Sequence, residues 1–249
     1  MRRRPGALLA LLASALLAGA AWAQTAPDAS AWSDGDIRAS RTRTVDGPSP
    51  AQPRPEAARA ALAVVEADPP QLTLVDAARL AVLGRVALPR PAHGPPRFSP
   101  DGGHAYLGTR DGWILRVDLR ALRVAGEVRV GLALASFALS ADGKWLLAGN
   151  DVPATLALLD AELNLVKTFG AATADGKRAS RVGTVADAAP RTSFVVALRD
   201  IPELWEISYD PRAEDIYSGL VHDFRMGEGI PVRGFHNARR SQLAEPLGH

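Results

Sequence analysis

Short apolar segments separated by turn residues make up the chain from residue 62 onward. Three segments with alternating apolar positions end in an aspartate, at Asp76, Asp118 and Asp160, and consecutive members are 42 residues apart. A second short apolar segment follows each aspartate. Such alternation predicts half-buried strands, and no window of a dozen residues has the period of an amphipathic helix. The pattern therefore predicts an all-β fold built from a repeated unit.

A turn sequence repeats with almost the same period. Ser-Pro-Asp-Gly at residues 99–102 recurs as Ser-Ala-Asp-Gly at residues 140–143, 41 residues later. A period of about 40–45 residues with a turn at fixed phase is typical of the four-stranded blades of YVTN/WD40-like β-propellers. Residues 193–198 and 203–208 predict the middle strands of a fourth blade, whereas residues 210–249 read as loop. We expect four to five blades between residues 61 and 249.

The first 23 residues predict a cleavable secretory signal peptide. Three arginines at positions 2–4 precede an apolar stretch, and Ala21 and Ala23 stand at −3 and −1 of a cleavage site. The apolar stretch is shorter than the roughly 20 residues that span a bilayer. We therefore expect export to the periplasm and no membrane span in the mature chain. Residues 24–60 are rich in Pro, Ala and Ser, which predicts a disordered linker.

Charge and cysteine content exclude several classes of function. The sequence has 29 basic and 27 acidic residues, and removal of the leader takes three arginines and no acid. The mature chain is thus close to neutral and has no nucleic-acid-binding motif, which argues against a nucleic-acid partner. The absence of cysteine excludes disulfides, thiolate metal sites and the C-x-x-C-H attachment of a covalent heme c.

Several stretches resemble the heme d1 domain of the cytochrome cd1 nitrite reductase family, and most closely its heme d1 biosynthesis branch, the dihydro-heme d1 dehydrogenase-like proteins. These stretches are residues 97–102, 110–113, 193–198, 202–210 and 221–228. The resemblance implies an eight-bladed propeller that binds heme d1 non-covalently across its central opening. The repeat accounts for about half of that ring. We therefore expect a truncated propeller, with ring closure by two copies as the alternative.

The resemblance also implies a set of site residues. His93, in Ala-His-Gly, takes the place of the axial iron ligand, a role that suits a neutral imidazole. Arg97, Arg110 and Arg199 would bind the carboxylates of heme d1, since guanidinium groups pair well with carboxylates. His222 would be a distal or catalytic group. At each position the alternative is an ordinary loop histidine or a solvated arginine.

The turn at residues 198–202 separates this sequence from nitrite reductases, which carry histidines there. Here Arg199 and Ile201 replace them, so nitrite would lack its proton donor. The predicted function is a periplasmic heme d1-binding protein of heme d1 biosynthesis and denitrification that binds or oxidises the heme d1 precursor. Oxidation would need a separate periplasmic electron acceptor or nitrite reductase as partner. A generic exported YVTN-type propeller, acting as a binding or scaffold module without a cofactor, stays open as the alternative.

Overall fold

The computed structural model describes residues 32–44, 61–217 and 231–247, so the predicted signal peptide lies outside the described residues. Within these ranges the chain is mostly strand, with one short helix and a single 3-10 turn at Ala189–Arg191. No described helix has both the length and the apolar character needed to cross a bilayer. The elements are α1 (Asp34–Ser40), β1 (Thr42–Arg43), β2 (Ala61–Ala67), β3 (Pro70–Asp76), β4 (Ala81–Ala87), β5 (Arg97–Phe98), β6 (His104–Gly108), β7 (Trp113–Asp118), β8 (Arg123–Arg129), β9 (Ala133–Leu139), β10 (Trp145–Val152), β11 (Thr155–Asp160), β12 (Leu165–Gly170), β13 (Val182–Ala188), β14 (Ser193–Leu198), β15 (Glu203–Ser208) and β16 (Ala238–Gln242).

The strands form four antiparallel sheets that follow one another along the chain as propeller blades, which confirms the predicted fold. Blade 1 is β2–β4, blade 2 is β5–β8, blade 3 is β9–β12 and blade 4 is β13–β16. The described strands of blade 1 correspond to the second, third and fourth strands of the others, because Asp76 ends β3 as Asp118 ends β7. In each complete blade, the hairpin between the second and third strands lies at the same end as the connection to the next blade. We call this end of the propeller the crossover end.

The repeated aspartates have one structural role. The Asp118 carboxylate accepts hydrogen bonds from the backbone N–H groups of Arg120 and Ala121, both at 2.9 Å. Asp76 and Asp160 accept two backbone N–H groups in the same way. Short polar side chains favour turns because they satisfy backbone donors locally. The 42-residue period therefore marks the tight turn between the third and fourth strands of each blade.

The Ser-x-Asp-Gly turn is also used more widely than its period predicts. At residues 99–102 the Ser99 hydroxyl donates to the aspartate of the turn at 2.6 Å and accepts from the backbone N–H of His104. The turn that begins at Ser140 is built alike. Thr109 and Thr173 begin two further copies, Thr-Arg-Asp-Gly and Thr-Ala-Asp-Gly, with the same hydroxyl–carboxylate bond of 2.6 Å. Both copies lie at the crossover end of their blades.

The core is formed by side chains that pack between adjacent blades. Leu72 of blade 1 packs with Leu107 and Leu115 of blade 2, and all three are buried. The interface of blades 3 and 4 centres on Trp205, whose indole N–H donates to Glu203 at 2.7 Å. Full burial of one such aliphatic or aromatic side chain contributes about 1.5–3 kcal/mol. Apolar side chains buried between neighbouring blades therefore fix the orientation of one blade relative to the next.

Residues 32–44 form what we call the N-terminal strap. Ser33 and Asp36 make a capping box that starts α1, and Ile37 is buried against blades 2 and 3. The strand β1 pairs with β8 as a fifth strand of blade 2, and Asp34 accepts a hydrogen bond from Thr168 of blade 3 at 2.7 Å. The prediction of a disordered linker is wrong for these residues, because one buried isoleucine and a capped helix are enough to dock them.

The segment predicted as loop beyond residue 210 returns to blade 4. The strand β16 pairs with β15 along its whole length and completes the blade as its outer strand. Four of its five residues are exposed, so it has no apolar alternation for a sequence pattern to detect. The loop prediction is therefore wrong for this strand.

Just before β16, His236 is inserted between blades 3 and 4. Its side chain is 8% exposed, stacks on Phe235 and meets the edge of Trp145 at a ring-centroid distance of 4.4 Å. Burial, with a contribution from the nearby Lys167 ammonium, lowers the pKa of His236 from its ordinary 6.5 to about 4. Among the described residues, its buried Nε2 atom has no hydrogen-bond partner. The folded protein therefore keeps this imidazole neutral in weak acid.

His236 gives the fold a defined acid sensitivity. In the unfolded chain the imidazole takes up a proton near pH 6.5, whereas the folded chain takes it up only near pH 4. The free energy of unfolding should therefore fall by up to about 3 kcal/mol from pH 7 to pH 4 through this group. His236→Asn, which tolerates the positive φ of this position, should flatten that dependence in urea titrations at several pH values. An equally steep profile in the variant would show that other groups cause it.

Candidate functional site

Three residues that the sequence singled out lie together at the crossover end of blade 2. His93 lies in the connection from β4 to β5, Arg97 begins β5, and Arg110 lies in the hairpin between β6 and β7. A cleft of about 120 Å³ opens here between blades 2 and 3, and its lining includes His93 and Arg97 together with the apolar side chains of Leu134 and Phe137. The structure thus brings three of the predicted site residues into one place.

The backbone around His93 presents its imidazole to solvent. The His93 N–H donates to the carbonyl of Gly108 at 2.7 Å, which attaches the connection to the end of β6. Gly94 has φ of +78°, a left-handed conformation that favours glycine, and a β-carbon there would meet no atom of the described residues within 4 Å. The His93 side chain is exposed. An anchored backbone with open space beside it leaves the ring accessible to a large ligand.

Arg110 stands on a rigid turn and contacts His93. It is the second residue of the Thr-Arg-Asp-Gly turn, whose hydroxyl–carboxylate bond fixes the backbone, and its carbonyl accepts from the Leu134 N–H of blade 3 at 3.2 Å. The Arg110 Nε atom donates to Nδ1 of His93 at 3.4 Å. Arg110 is exposed, and its neighbour Thr109 lines the cleft. The turn therefore places one cation beside His93, the predicted iron ligand.

Arg97 bridges the two blades that form the cleft. Its Nε atom donates to the carbonyl of Phe137 at 3.4 Å, and its guanidinium carbon lies 5.9 Å from the centre of the Phe137 ring. The side chain is half-buried. Its position fits the predicted role of a cation beside a bound anion, with part of its donor capacity already used by blade 3.

Arg199 lies at the same crossover end but two blades away. It is exposed in the hairpin between β14 and β15 of blade 4, and its N–H donates to the Arg181 carbonyl at 3.0 Å. It does not line the cleft beside His93. A ligand that contacts both Arg110 and Arg199 would have to extend across the end of the propeller.

The hairpin that carries Arg199 is fixed by a carboxylate that the sequence reasoning missed. Asp200 accepts two hydrogen bonds from the Arg181 guanidinium, at 2.7 and 3.1 Å, and a third from the Arg181 backbone N–H at 2.8 Å. These bonds lower the pKa of Asp200 to about 2. Arg178 donates to the Asp200 carbonyl. Arg178 and Arg181 lie in the connection from β12 to β13. The Thr-Ala-Asp-Gly turn at residues 173–176 of this connection was the signal in the sequence that could have drawn attention to it.

Of the other two residues considered for the distal side, Ile201 and His222, the structure describes only Ile201. Ile201 is fully buried in the core of blades 3 and 4, so it cannot face a ligand. His222 lies outside the described residues. Within residues 32–44, 61–217 and 231–247, no group of three or more His, Asp or Glu side chains could bind a bare metal ion. A metal bound beside His93 would therefore need most of its ligands from a carrier molecule.

Comparison with known proteins identifies the family. The model of the family described as Cytochrome D1 heme domain matches residues 58–218, well over half of the chain. The chain belongs to the cytochrome D1 heme domain family. Dihydro-heme d1 dehydrogenase of Pseudomonas aeruginosa is 45% identical over 189 residues, which are 75% of this chain and 38% of that protein. Protein NirF of Stutzerimonas stutzeri is 32% identical over 149 residues, 59% of this chain and 38% of the relative.

A comparison with solved structures shows the same relationship. Dihydro-heme d1 dehydrogenase NirN in complex with DHE superimposes with a TM-score of 0.70 and 39% sequence identity. The match covers 86% of this chain and 42% of the solved chain. The chain thus spans less than half the length of the relatives it matches. The likeness confirms the predicted resemblance to the heme d1 biosynthesis branch.

Proposed function

We propose that this chain binds heme d1 or its dihydro precursor in the periplasm, as part of heme d1 biosynthesis, with His93 as the axial iron ligand. Membership of the cytochrome D1 heme domain family and the likeness to a NirN–DHE complex support this function over a generic propeller without a cofactor. The observation that carries it is the cleft beside His93, which is lined by an exposed imidazole in contact with Arg110, by Arg97 and by apolar side chains.

The residues at this cleft fit an iron macrocycle that carries carboxylates. A neutral imidazole is a common axial ligand of heme iron, and Arg97 and Arg110 offer donors that pair with carboxylates. Leu134 and Phe137 provide apolar contact for a ring. The cleft volume of about 120 Å³ is below the roughly 300–1,000 Å³ of pockets that enclose a small molecule, so the ligand must use the open mouth.

The chain's own residues bind and orient in this proposal. His93 supplies one ligand to the iron, and Arg97 and Arg110 bind carboxylates of the macrocycle. Arg199 extends the cationic surface to blade 4. The macrocycle, when bound, supplies the redox-active centre. Of the described residues that line the cleft, none is a carboxylate, so binding is better supported than proton abstraction.

If the bound precursor is oxidised, its two electrons must leave the chain. Removal of two hydrogens releases two electrons and two protons, and the sequence, which lacks cysteine, has no covalent heme c to receive the electrons. A separate periplasmic electron carrier or nitrite reductase would be the acceptor. Nitrite reduction by this chain itself is disfavoured, because Arg199 and the buried Ile201 stand where a proton donor would be needed.

The direct test is a titration of the purified chain with heme d1, followed by its visible spectrum. We expect saturable binding at one site per chain, with a spectrum typical of imidazole ligation. Ferric protoporphyrin, which has only two carboxylates, provides a comparison ligand that should bind more weakly. An unchanged heme d1 spectrum at tens of micromolar protein would reject the proposed function.

A further inference from the structure

We infer that Arg110 is a positioning residue that couples recognition of the ligand's carboxylates to iron ligation by His93. The inference rests on the proposed function and deepens it. In the free protein Arg110 Nε donates to His93 Nδ1. A carboxylate that draws Arg110 away from this nitrogen frees the ring to adopt the form that binds iron through Nε2.

Hydrogen-bond chemistry defines the state of the His93 ring. A guanidinium has five N–H donors and no acceptor, so the contact requires a lone pair on Nδ1. In a neutral imidazole the other nitrogen, Nε2, then carries the proton. A ring in this tautomer cannot use Nε2 as a metal ligand. Metal-bound histidines usually show the reverse arrangement, in which the second ring nitrogen donates its N–H to an acceptor.

A carboxylate is a better acceptor for Arg110 than the ring nitrogen. Arginine pairs with a carboxylate through two charge-assisted bonds, which are shorter and stronger than a single bond to a neutral atom. The present Arg110–His93 contact is a single one at 3.4 Å, near the long end of hydrogen-bond distances. When the carboxylate displaces it, water can take the proton from Nε2 and return one to Nδ1, so the number of protons on the ring does not change.

The backbone limits how far either side chain can move away. The Thr-Arg-Asp-Gly turn fixes the position of Arg110, and the His93 N–H is anchored to Gly108. Both side chains are exposed above these anchors. The guanidinium can therefore exchange acceptors locally, while the imidazole stays beside the mouth of the cleft.

The experiment compares heme d1 with its methyl ester, which lacks free carboxylates, on the wild type and on Arg110→Met. Both ligands are delivered from the same mild detergent, and the visible band of imidazole ligation is titrated. In the wild type the ester should be ligated more weakly than the acid. In Arg110→Met the acid should lose affinity, but the ester should gain about threefold to tenfold, the equivalent of one net hydrogen bond released. Arg79→Met, an exposed arginine paired with Asp76 in blade 1, is the matched control and should change neither.

The outcomes separate this inference from the proposed function. If the wild type binds neither ligand, the proposed function fails. If the acid binds but Arg110→Met leaves ester ligation unchanged or weaker, Arg110 only binds a carboxylate and the coupling is rejected. Arg110→Lys, which retains a donor and a charge, should restore part of the wild-type difference between acid and ester. Nitrogen-15 NMR of His93 in the free protein gives an independent readout: the tautomer with the proton on Nε2 should be more populated in the wild type than in Arg110→Met, and equal populations would reject the coupling.

Discussion

Replacing His93 with alanine should remove the spectrum of imidazole ligation from a heme d1 complex and weaken binding by at least about tenfold, since even the loss of a ligand's supporting partner costs 10–100-fold in metal affinity. Within the part of the chain that the structure describes, the exposed imidazole has one hydrogen bond, to Arg110, so its removal should leave stability nearly unchanged. Visible titrations of the two proteins with heme d1 measure the effect.

His104→Ala is the matched control for this prediction. His104 begins β6 in the same blade, at the end opposite the cleft, and burial lowers the pKa of its half-buried imidazole. Its loss should not alter the heme d1 spectrum. Added imidazole should restore the ligation band of His93→Ala, because a free ligand can enter the vacated space. An unaltered spectrum in His93→Ala would place the axial ligand elsewhere in the chain.

Gly112→Ala should be among the most damaging single substitutions in the protein. Gly112 has φ of +91°, and a β-carbon there would lie 2.0 Å from the carbonyl oxygen of Gly131. Neither backbone can yield without breaking the bond from the Val130 N–H to the Gly112 carbonyl, 2.8 Å long. We expect a loss of at least about 3 kcal/mol in the free energy of unfolding, measured in urea.

Gly176→Ala tests the cause of that loss. Gly176 ends the related Thr-Ala-Asp-Gly turn with φ of +70°, but a β-carbon there is not within 4 Å of any described residue. Strain alone should cost about 1 kcal/mol. Gly112→Ala should also weaken heme d1 binding, because it displaces the turn that carries Arg110. Equal losses of stability in the two variants would mean that backbone strain, not the clash with Gly131, dominates.

The blades were predictable because their signals are local. The strands β14 and β15 have the predicted bounds, since alternating apolar residues and the turn between them leave little choice of register. The outer strand β16 was missed, because Arg239, Arg240 and their neighbours are exposed and carry no period. The strap was missed for a similar reason. One buried side chain, Ile37, docks it, and its capping box was the available signal.

The candidate site was predictable only in part. The grouping of His93, Arg97 and Arg110 followed from family resemblance, and the topology explains it by placing their three segments at one end of blade 2. The contact between Arg110 and His93 could not be predicted, because it depends on side-chain directions across 17 residues of chain. Nor could the clamp on Asp200, whose partner Arg181 lies in another connection.

The N-terminal strap has a consequence for how the protein behaves at high concentration. An outermost strand presents unpaired backbone groups that can recruit a strand of another chain and start aggregation. In blade 2 the strap covers part of that row, because β1 pairs with Gly126 and Glu127 of β8, and in blade 3 α1 lies against β12. Blade 4 ends instead in a strand with exposed arginines, whose charges repel a second copy. Deleting residues 32–44 should therefore shorten the time to visible precipitation well before it unfolds the blades.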